Sequence, residues 1–198
     1  MASFREIRFA EKKEDIFNKA AEIFLQKGYE KTTLEEIAAE LKMTRGSIYH
    51  YFQSKEDILF QSLMRAYAIA YEVLSRVAER EDLSPKERLA LAIKEHAKVL
   101  TKKFVYATMR QQDLFIPEEW RQAVIEERDK CQEIYMVFLK EGIDDKIFQK
   151  ENIKIVCFAI LGAVNWIARW YSPDGPMTPG EIGEATAEYL VGRLGQKK

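Results

Sequence analysis

The 198 residues carry 31 Lys and Arg against 32 Asp and Glu, a net charge of −1, with 47% hydrophobic and 32% charged residues. That balance excludes a disordered chain and a uniformly basic shell of the histone kind, but not a local basic face. Two cysteines, Cys131 and Cys157, with no CxxC pair, exclude a disulfide framework and a cysteine-rich zinc site and favour a reduced, cytoplasmic setting.

Apolar residues recur at helical spacing almost throughout, and no stretch alternates as a half-buried strand does. The spacing predicts an all-α fold of about nine helices, with residues 1–55 as one unit and 56–198 as a second. The first helix spans about 9–27, with Ile16, Phe17, Ala20, Ile23 and Phe24 as its apolar stripe, and nothing in the first 30 residues resembles a signal peptide. Thr33 to Glu36 reads as a capping box opening a second helix to about Leu41. Three residues, Lys42 to Thr44, lead into a short third helix to about Tyr51. Ser54 to Asp57 starts a fourth that runs to about Arg80. Ser84 to Glu87, with Pro85 at the first helical position, opens a fifth to about Lys103. A short sixth is expected near 105–113, a seventh from Pro117 to about Gly142, an eighth over about 151–171, and a ninth from Thr178 to about Leu194. The most apolar run, Ile155 to Ala168, would reach about 21 Å as a helix, short of a bilayer core of about 30 Å, so no membrane segment is expected.

Two short helices joined by three residues form a helix-turn-helix pattern over 33–52. From Leu41 to Lys55 there is no Asp or Glu, while Lys42, Arg45, His50 and Lys55 fall in the window. The segment also offers Thr44, Gly46, Ser47 and Tyr49. Arginine can grip guanine at two points, small hydroxyls reach phosphates or base edges, and a glycine lets a helix approach a duplex closely. The helix starts at Thr33 and Lys55 can aim backbone amides at phosphate. A solvated helical hairpin accounts for the same charges.

Residues 16–59 resemble the DNA-binding domain of the TetR family of bacterial repressors. The resemblance is carried by Ile16 to Phe24, Lys27-Gly-Tyr29, Thr32-Thr33, Ile37-Ala38, Met43 to Phe52 and Ser54-Lys55. It implies double-stranded operator DNA as partner, with Thr33, Tyr49, His50 and Lys55 on phosphates and Thr44, Arg45 and Ser47 at base edges. Lys42 stands where the family's turn often has glycine, and a left-handed conformation there would cost about 1 kcal/mol.

The C-terminal part holds all three Trp and most other aromatics. Tyr67, Tyr71, Tyr106, Trp120, Tyr135 and Trp166, together with His96, Arg110, Arg128, Asn165 and Arg169, are the candidate ligand-binding residues. An aromatic-lined bundle with a few interior polar groups has the composition of a small-molecule pocket, although each residue by itself fits a bundle core equally well. Gly162 to Pro176 resembles the penultimate helix and turn of TetR-type regulators of fatty-acid and steroid breakdown. That resemblance implies an acyl-CoA effector, with Trp166 and Arg169 near the coenzyme. A multidrug-sensing regulator of the same family is the alternative. Ile182, Ala185, Thr186, Tyr189 and Leu190 form a stripe expected to build a homodimer interface with the eighth helix. No catalytic residues, metal ligands or cofactor are expected. The chain has only two histidines and lacks a phosphate-binding glycine loop and an HExxH motif. A helical protein-docking module is the remaining rival, and the acid-free window around Arg45 argues against it.

Overall fold

The computed structural model describes residues 3–111 and 116–195. Nine α-helices lie among these residues: α1 (Phe4–Lys27), α2 (Leu34–Glu40), α3 (Arg45–Tyr49), α4 (Lys55–Ala78), α5 (Pro85–Leu100), α6 (Lys103–Met109), α7 (Glu118–Asp144), α8 (Ile153–Trp170) and α9 (Pro179–Gly192). The fold is all-α, as the spacing predicts. The end of the sixth helix expected at residues 112–113 lies outside the described residues.

Local chemistry sets the helix starts. Hydroxyls of Ser3, Thr33, Thr44, Ser54, Ser84 and Thr178 each accept the amide three residues on. Ser3, Ser84 and Thr178 form full capping boxes with Glu6, Glu87 and Glu181. The expected box at Thr33 is only half made, because the Glu36 carboxylate turns away to pair with Lys27. α1 begins five residues earlier than its apolar stripe predicts, because the Ser3–Glu6 box nucleates a polar first turn. The turn after α2 closes with Met43 N–H donating to Ala38 C=O at 2.8 Å, which puts Lys42 at φ 54°, the left-handed region where glycine is favoured.

One continuous apolar core runs through the chain. At one end Ile16, Ile37, Ile48, Phe52, Ile58 and Leu59, all essentially fully buried, lock α1–α3 against the start of α4. Ile48 is the one buried residue of α3, so its five residues are held by a single anchor, and Ile48→Ala would cost about 2–5 kcal/mol. At the other end Leu74, Leu89, Ile93, Tyr135, Phe138 and Val164 fill a bundle of α4, α5, α7, α8 and α9. α9 lies tightly on α5: a Cβ on Gly183 would stand 2.8 Å from the Lys94 carbonyl oxygen. α6 bridges the two ends. Its Phe104 meets Phe17 of α1 at 6.1 Å, and Lys103 donates to Glu22 at 2.6 Å. Hydrogen bonds from Lys103 and Lys19 hold the Glu22 carboxyl down to about 2.

Candidate nucleic-acid interface and ligand cavity

Ile48 turns the rest of α3 outward. Lys42, Thr44, Arg45, Gly46, Ser47, Tyr49 and His50 are all exposed on one surface. The Thr44 hydroxyl accepts the Ser47 amide at 3.1 Å and lies 2.8 Å from the Ser47 hydroxyl, so both are held at the head of the helix. Arg45 Nε approaches Glu35 Oε1 at 3.1 Å, and the Tyr49 hydroxyl donates to the same oxygen at 3.1 Å. The Arg45 guanidinium also lies 5.7 Å from the Tyr49 ring centre. Its own amide and the Tyr49 hydroxyl hold the Glu35 carboxyl below the usual range. A Cβ on Gly46 would meet nothing within 4 Å, so that position presents bare backbone. Thr33 is exposed at the start of α2, its hydroxyl occupied by the Glu36 amide at 3.2 Å.

Lys55 is placed differently from the expectation. Its ammonium donates to the carbonyls of Tyr29, Glu30 and Thr32 at 3.1, 3.1 and 3.2 Å and lies 4.5 Å from the Tyr29 ring centre. All three of its donors are thus used to fasten the start of α4 to the α1–α2 turn, leaving none for a phosphate.

In the bundle, a cavity of about 390 Å3 lies between α4, α5, α6, α7 and α8, within the range of small-molecule sites. Of the expected ligand residues, Tyr67, His96, Arg128 and Asn165 line it. His96 Nδ1 is 3.1 Å from the Tyr135 hydroxyl, so Tyr135 supports the wall from behind. Burial lowers the His96 pKa to about 4 and pushes the Cys131 thiol up to about 12. Both are therefore neutral near pH 7. The lining residues include no carboxylate, and the single cation, Arg128, sits half-exposed at the rim beside Asp129. Much of the remaining wall went unmarked in the sequence: Ala66, Ala70, Leu100, Val105, Met109 and Leu161 carry no polar chemistry. Gln132 and Gly162 complete the α7–α8 side.

The other expected ligand residues do not line this cavity. Tyr71 is exposed on the outer face of α4, beside Lys130 and Ile134 of α7. Tyr106 is buried against Tyr171. Arg110 donates to the carbonyls of Ala168, Arg169 and Tyr171 at 2.9, 3.1 and 3.0 Å, and Arg169 returns a bond to the Arg110 carbonyl at 2.9 Å. Arg110 thereby caps the C-terminal end of α8, where free carbonyls favour a cation. Trp120 stacks on Phe60 at the far end of α7. Trp166 is 63% exposed on the outside of α8.

That outer face is itself informative. Ile155, Phe158, Trp166 and Trp170 are exposed at helical spacing, with Ala159, Gly162 and Ala163 between them. Beside them on α9, Ala185 and Tyr189 are exposed, while Thr186 and Leu190 are half-buried. Ile182 is different from the expectation: it is 3% exposed, packed inside its own chain because α9 turns that side to α5. α8 is long and apolar enough to cross a membrane by composition, but a third of it is buried inside the chain.

An exposed two-helix reading head joined through α4 and α6 to a helical bundle with a ligand-sized cavity defines a one-component DNA-binding regulator. Residues 16–61 match the family model of bacterial regulatory proteins of the tetR family, and residues 82–194 match a tetracyclin repressor-like C-terminal domain. The chain belongs to the TetR family and is a helix-turn-helix transcriptional regulator. It is 26% identical over 190 residues to the transcriptional repressor KstR2 of Mycobacterium tuberculosis (strain H37Rv), covering 91% of each chain. It is 26% identical over 193 residues to the fatty acid metabolism regulator protein of Bacillus subtilis (strain 168), covering 92% of this chain and 95% of that one. Among solved structures, AibR in complex with isovaleryl coenzyme A and operator DNA superposes with a TM-score of 0.79 at 27% identity, covering 90% of this chain and 97% of that one. These relatives are regulators, in keeping with the expectation that the protein is not an enzyme.

Proposed function

We propose that the protein is a cytoplasmic, homodimeric repressor released from a palindromic operator by an acyl-CoA thioester. In this reading residues 1–55 bind DNA, and residues 56–198 bind the effector and pair the two copies. The observation that carries it is the largely apolar cavity beside His96 and Cys131, whose lining has no carboxylate and one cation, Arg128, which leans on Asp129 outside the lining and would have to turn from it to meet a coenzyme phosphate. An acyl chain needs an apolar interior, and coenzyme phosphates need a cation outside it. Arg128 takes the role the sequence reading gave to Trp166 and Arg169. A cationic drug would want a carboxylate in the wall, and the lining residues include none, which disfavours the multidrug alternative. The AibR complex with isovaleryl coenzyme A supports the same effector class, and the name of the Bacillus subtilis relative, a fatty acid metabolism regulator, agrees with an acyl group.

The exposed apolar face of α8, flanked by Tyr189 of α9, supports pairing of two copies in a four-helix seam rather than contact with lipid. A two-fold dimer presents two α3 helices to half-sites one helical turn apart, about 34 Å, or a multiple. Phe158 and Gly162 belong both to the cavity wall and to the exposed face of α8. Filling the cavity therefore presses on the seam as well as on α4 and α6, and both routes alter the spacing of the reading heads. A hundredfold release of DNA corresponds to about 2.7 kcal/mol of coupling.

The test titrates acyl-CoAs of graded length, a polycyclic thioester and free CoA against a labelled duplex selected by the protein from a random library. Acyl-CoAs, but not free CoA, should lower duplex affinity, and Ala70→Phe, which fills the cavity, should abolish the response while DNA binding persists. If no thioester acts on the wild-type protein, the effector assignment fails.

A further inference from the structure

An open groove of about 920 Å3 runs between the first turns of α1 and the α2–α3 turn. One wall carries Arg5, Arg8 and Lys12. The other carries Lys42 and the Thr44, Ser47 and His50 side chains that α3 presents outward. We propose that this groove is a second DNA-contacting site, in which the phosphodiester backbone of the strand passing beside α3 is held by Arg5 and Arg8. The proposal rests on the reading of α3 as the DNA-contacting helix and extends that surface onto a segment no sequence pattern had marked.

Several contacts fix the segment in place. The Ser3–Glu6 capping box forms the helix from its first turn. Phe9 stacks on Tyr51 at 4.7 Å and 23° and meets His50 edge-on at 5.8 Å, so the arm is clamped to the residues that follow α3. Lys13 donates to Gln61 of α4 at 2.6 Å. Arg5, Arg8 and Lys12 follow one another at three and four residues, hence on one face. They span about 10 Å of helix axis, over which one DNA strand presents about three phosphates.

The groove also holds two acids, Glu11 and Asp15, and Lys12 approaches Asp15 at 3.7 Å. Lys12 is thereby largely cancelled. Among the described residues Arg5, Arg8 and Lys42 form no ion pair, which leaves the arginines as the phosphate ligands on the α1 side and Lys42 facing them. Glu11 opposes binding by repelling the same phosphates.

The experiment compares wild-type protein with Arg5→Gln/Arg8→Gln and with Glu11→Gln, measuring affinity for the selected duplex and for random-sequence duplex as a function of salt. Each lost phosphate contact lowers the slope of log affinity on log salt by about 0.9. The double variant should lose close to two units of slope and weaken on both duplexes by the same factor. Glu11→Gln should bind both more tightly. Circular dichroism and melting should be unchanged, since the three side chains are exposed. An unchanged slope in the double variant, with wild-type protein and Arg45→Ala behaving as a specific binder and its weakened form, would overturn the groove but spare the reading of α3. Failure of the wild-type protein to bind any duplex would overturn both.

Discussion

The indole of Trp120 lies stacked on the ring of Phe60, 4.9 Å between centres and 25° between planes. Phe60 is within the first two turns of α4, and both rings border a cleft whose other walls include Tyr49, His50 and Tyr51. Eleven residues further along α7, Cys131 lines the ligand cavity. One rigid helix therefore touches the cavity at its middle and the base of the reading head at its start.

The first prediction follows from that stack. An offset aromatic pair is worth about 0.5–1.5 kcal/mol beyond its area. Trp120→Ala should reduce effector-driven loss of duplex affinity by about 2- to 10-fold. Effector affinity without DNA, and DNA affinity without effector, should stay near wild type. Isothermal titration of the strongest acyl-CoA, paired with anisotropy on the labelled duplex, separates the three quantities. Full coupling in Trp120→Ala would place the transmission elsewhere.

A second prediction concerns Glu35, which holds both Arg45 and Tyr49 in the free protein. Both partners are substantially exposed, so solvent screening leaves the ion pair weak. DNA must draw Arg45 away from it. Glu35→Gln removes that competition and one negative charge from the interface, and should tighten duplex binding by up to about 5-fold. Arg45→Ala should weaken binding by about 1–3 kcal/mol and relax the preference at one base pair. Selection from a randomised duplex reads both effects. Unchanged base preference in Arg45→Ala would move the reading face to other residues.

The third prediction separates seam from core on α9 and α8. Tyr189 is 61% and Trp166 63% exposed, whereas Ile182 is 3% exposed. Tyr189→Asp or Trp166→Asp would bury an unpaired charge only on pairing, at a cost of several kcal/mol. Each should sediment as a helical monomer with operator affinity lost. Ile182→Asp should instead unfold the chain. A fully dimeric Tyr189→Asp, Trp166→Asp protein would locate the interface on another face.

These placements show where sequence patterns reach and where they stop. Capping residues and apolar periodicity are local, so the helix order and the α2–α3 pair were legible from Thr33, Thr44, Ser84 and Thr178 outward. The arm from Phe4 to Phe9 has no helical signature in its apolar pattern, because its apolar residues are exposed and leave no buried stripe; only the Ser3–Glu6 cap marks it. Polar-tipped aromatics were a fair guide to the bundle but a poor one to the cavity. Which tip faces inward depends on packing between distant helices, and much of the wall is Ala66, Ala70 and Leu161, which bear no chemical mark. Lys55 shows the same limit. Its charge is legible, but three carbonyls from the α1–α2 turn decide where that charge goes.

The last prediction uses His96, the buried imidazole of the cavity wall. Desolvation lowers its pKa from 6.5 to about 4. In the unfolded chain the same imidazole takes up a proton near 6.5. Between these values the unfolded state binds the extra proton, so stability must fall as pH falls. The contribution is fully present above about pH 6.5 and is lost progressively down to about pH 4, amounting to about 3 kcal/mol at 1.36 kcal/mol per unit. Tyr135 and Cys131 are pushed upward by burial and stay protonated throughout this window, so they add nothing to it. Urea midpoints taken from pH 7 to pH 4.5 should therefore drop in the wild-type protein. His96→Gln keeps a hydrogen-bonding group for the Tyr135 hydroxyl but has no proton to gain, and its midpoint should drop markedly less over the same range. A bound acyl-CoA that holds the imidazole neutral should raise the midpoints but leave the profile at least as steep, because the folded state still refuses the proton that the unfolded chain takes up. Parallel profiles for the two proteins would mean that water reaches His96 and that the cavity is not the dry chamber its lining describes.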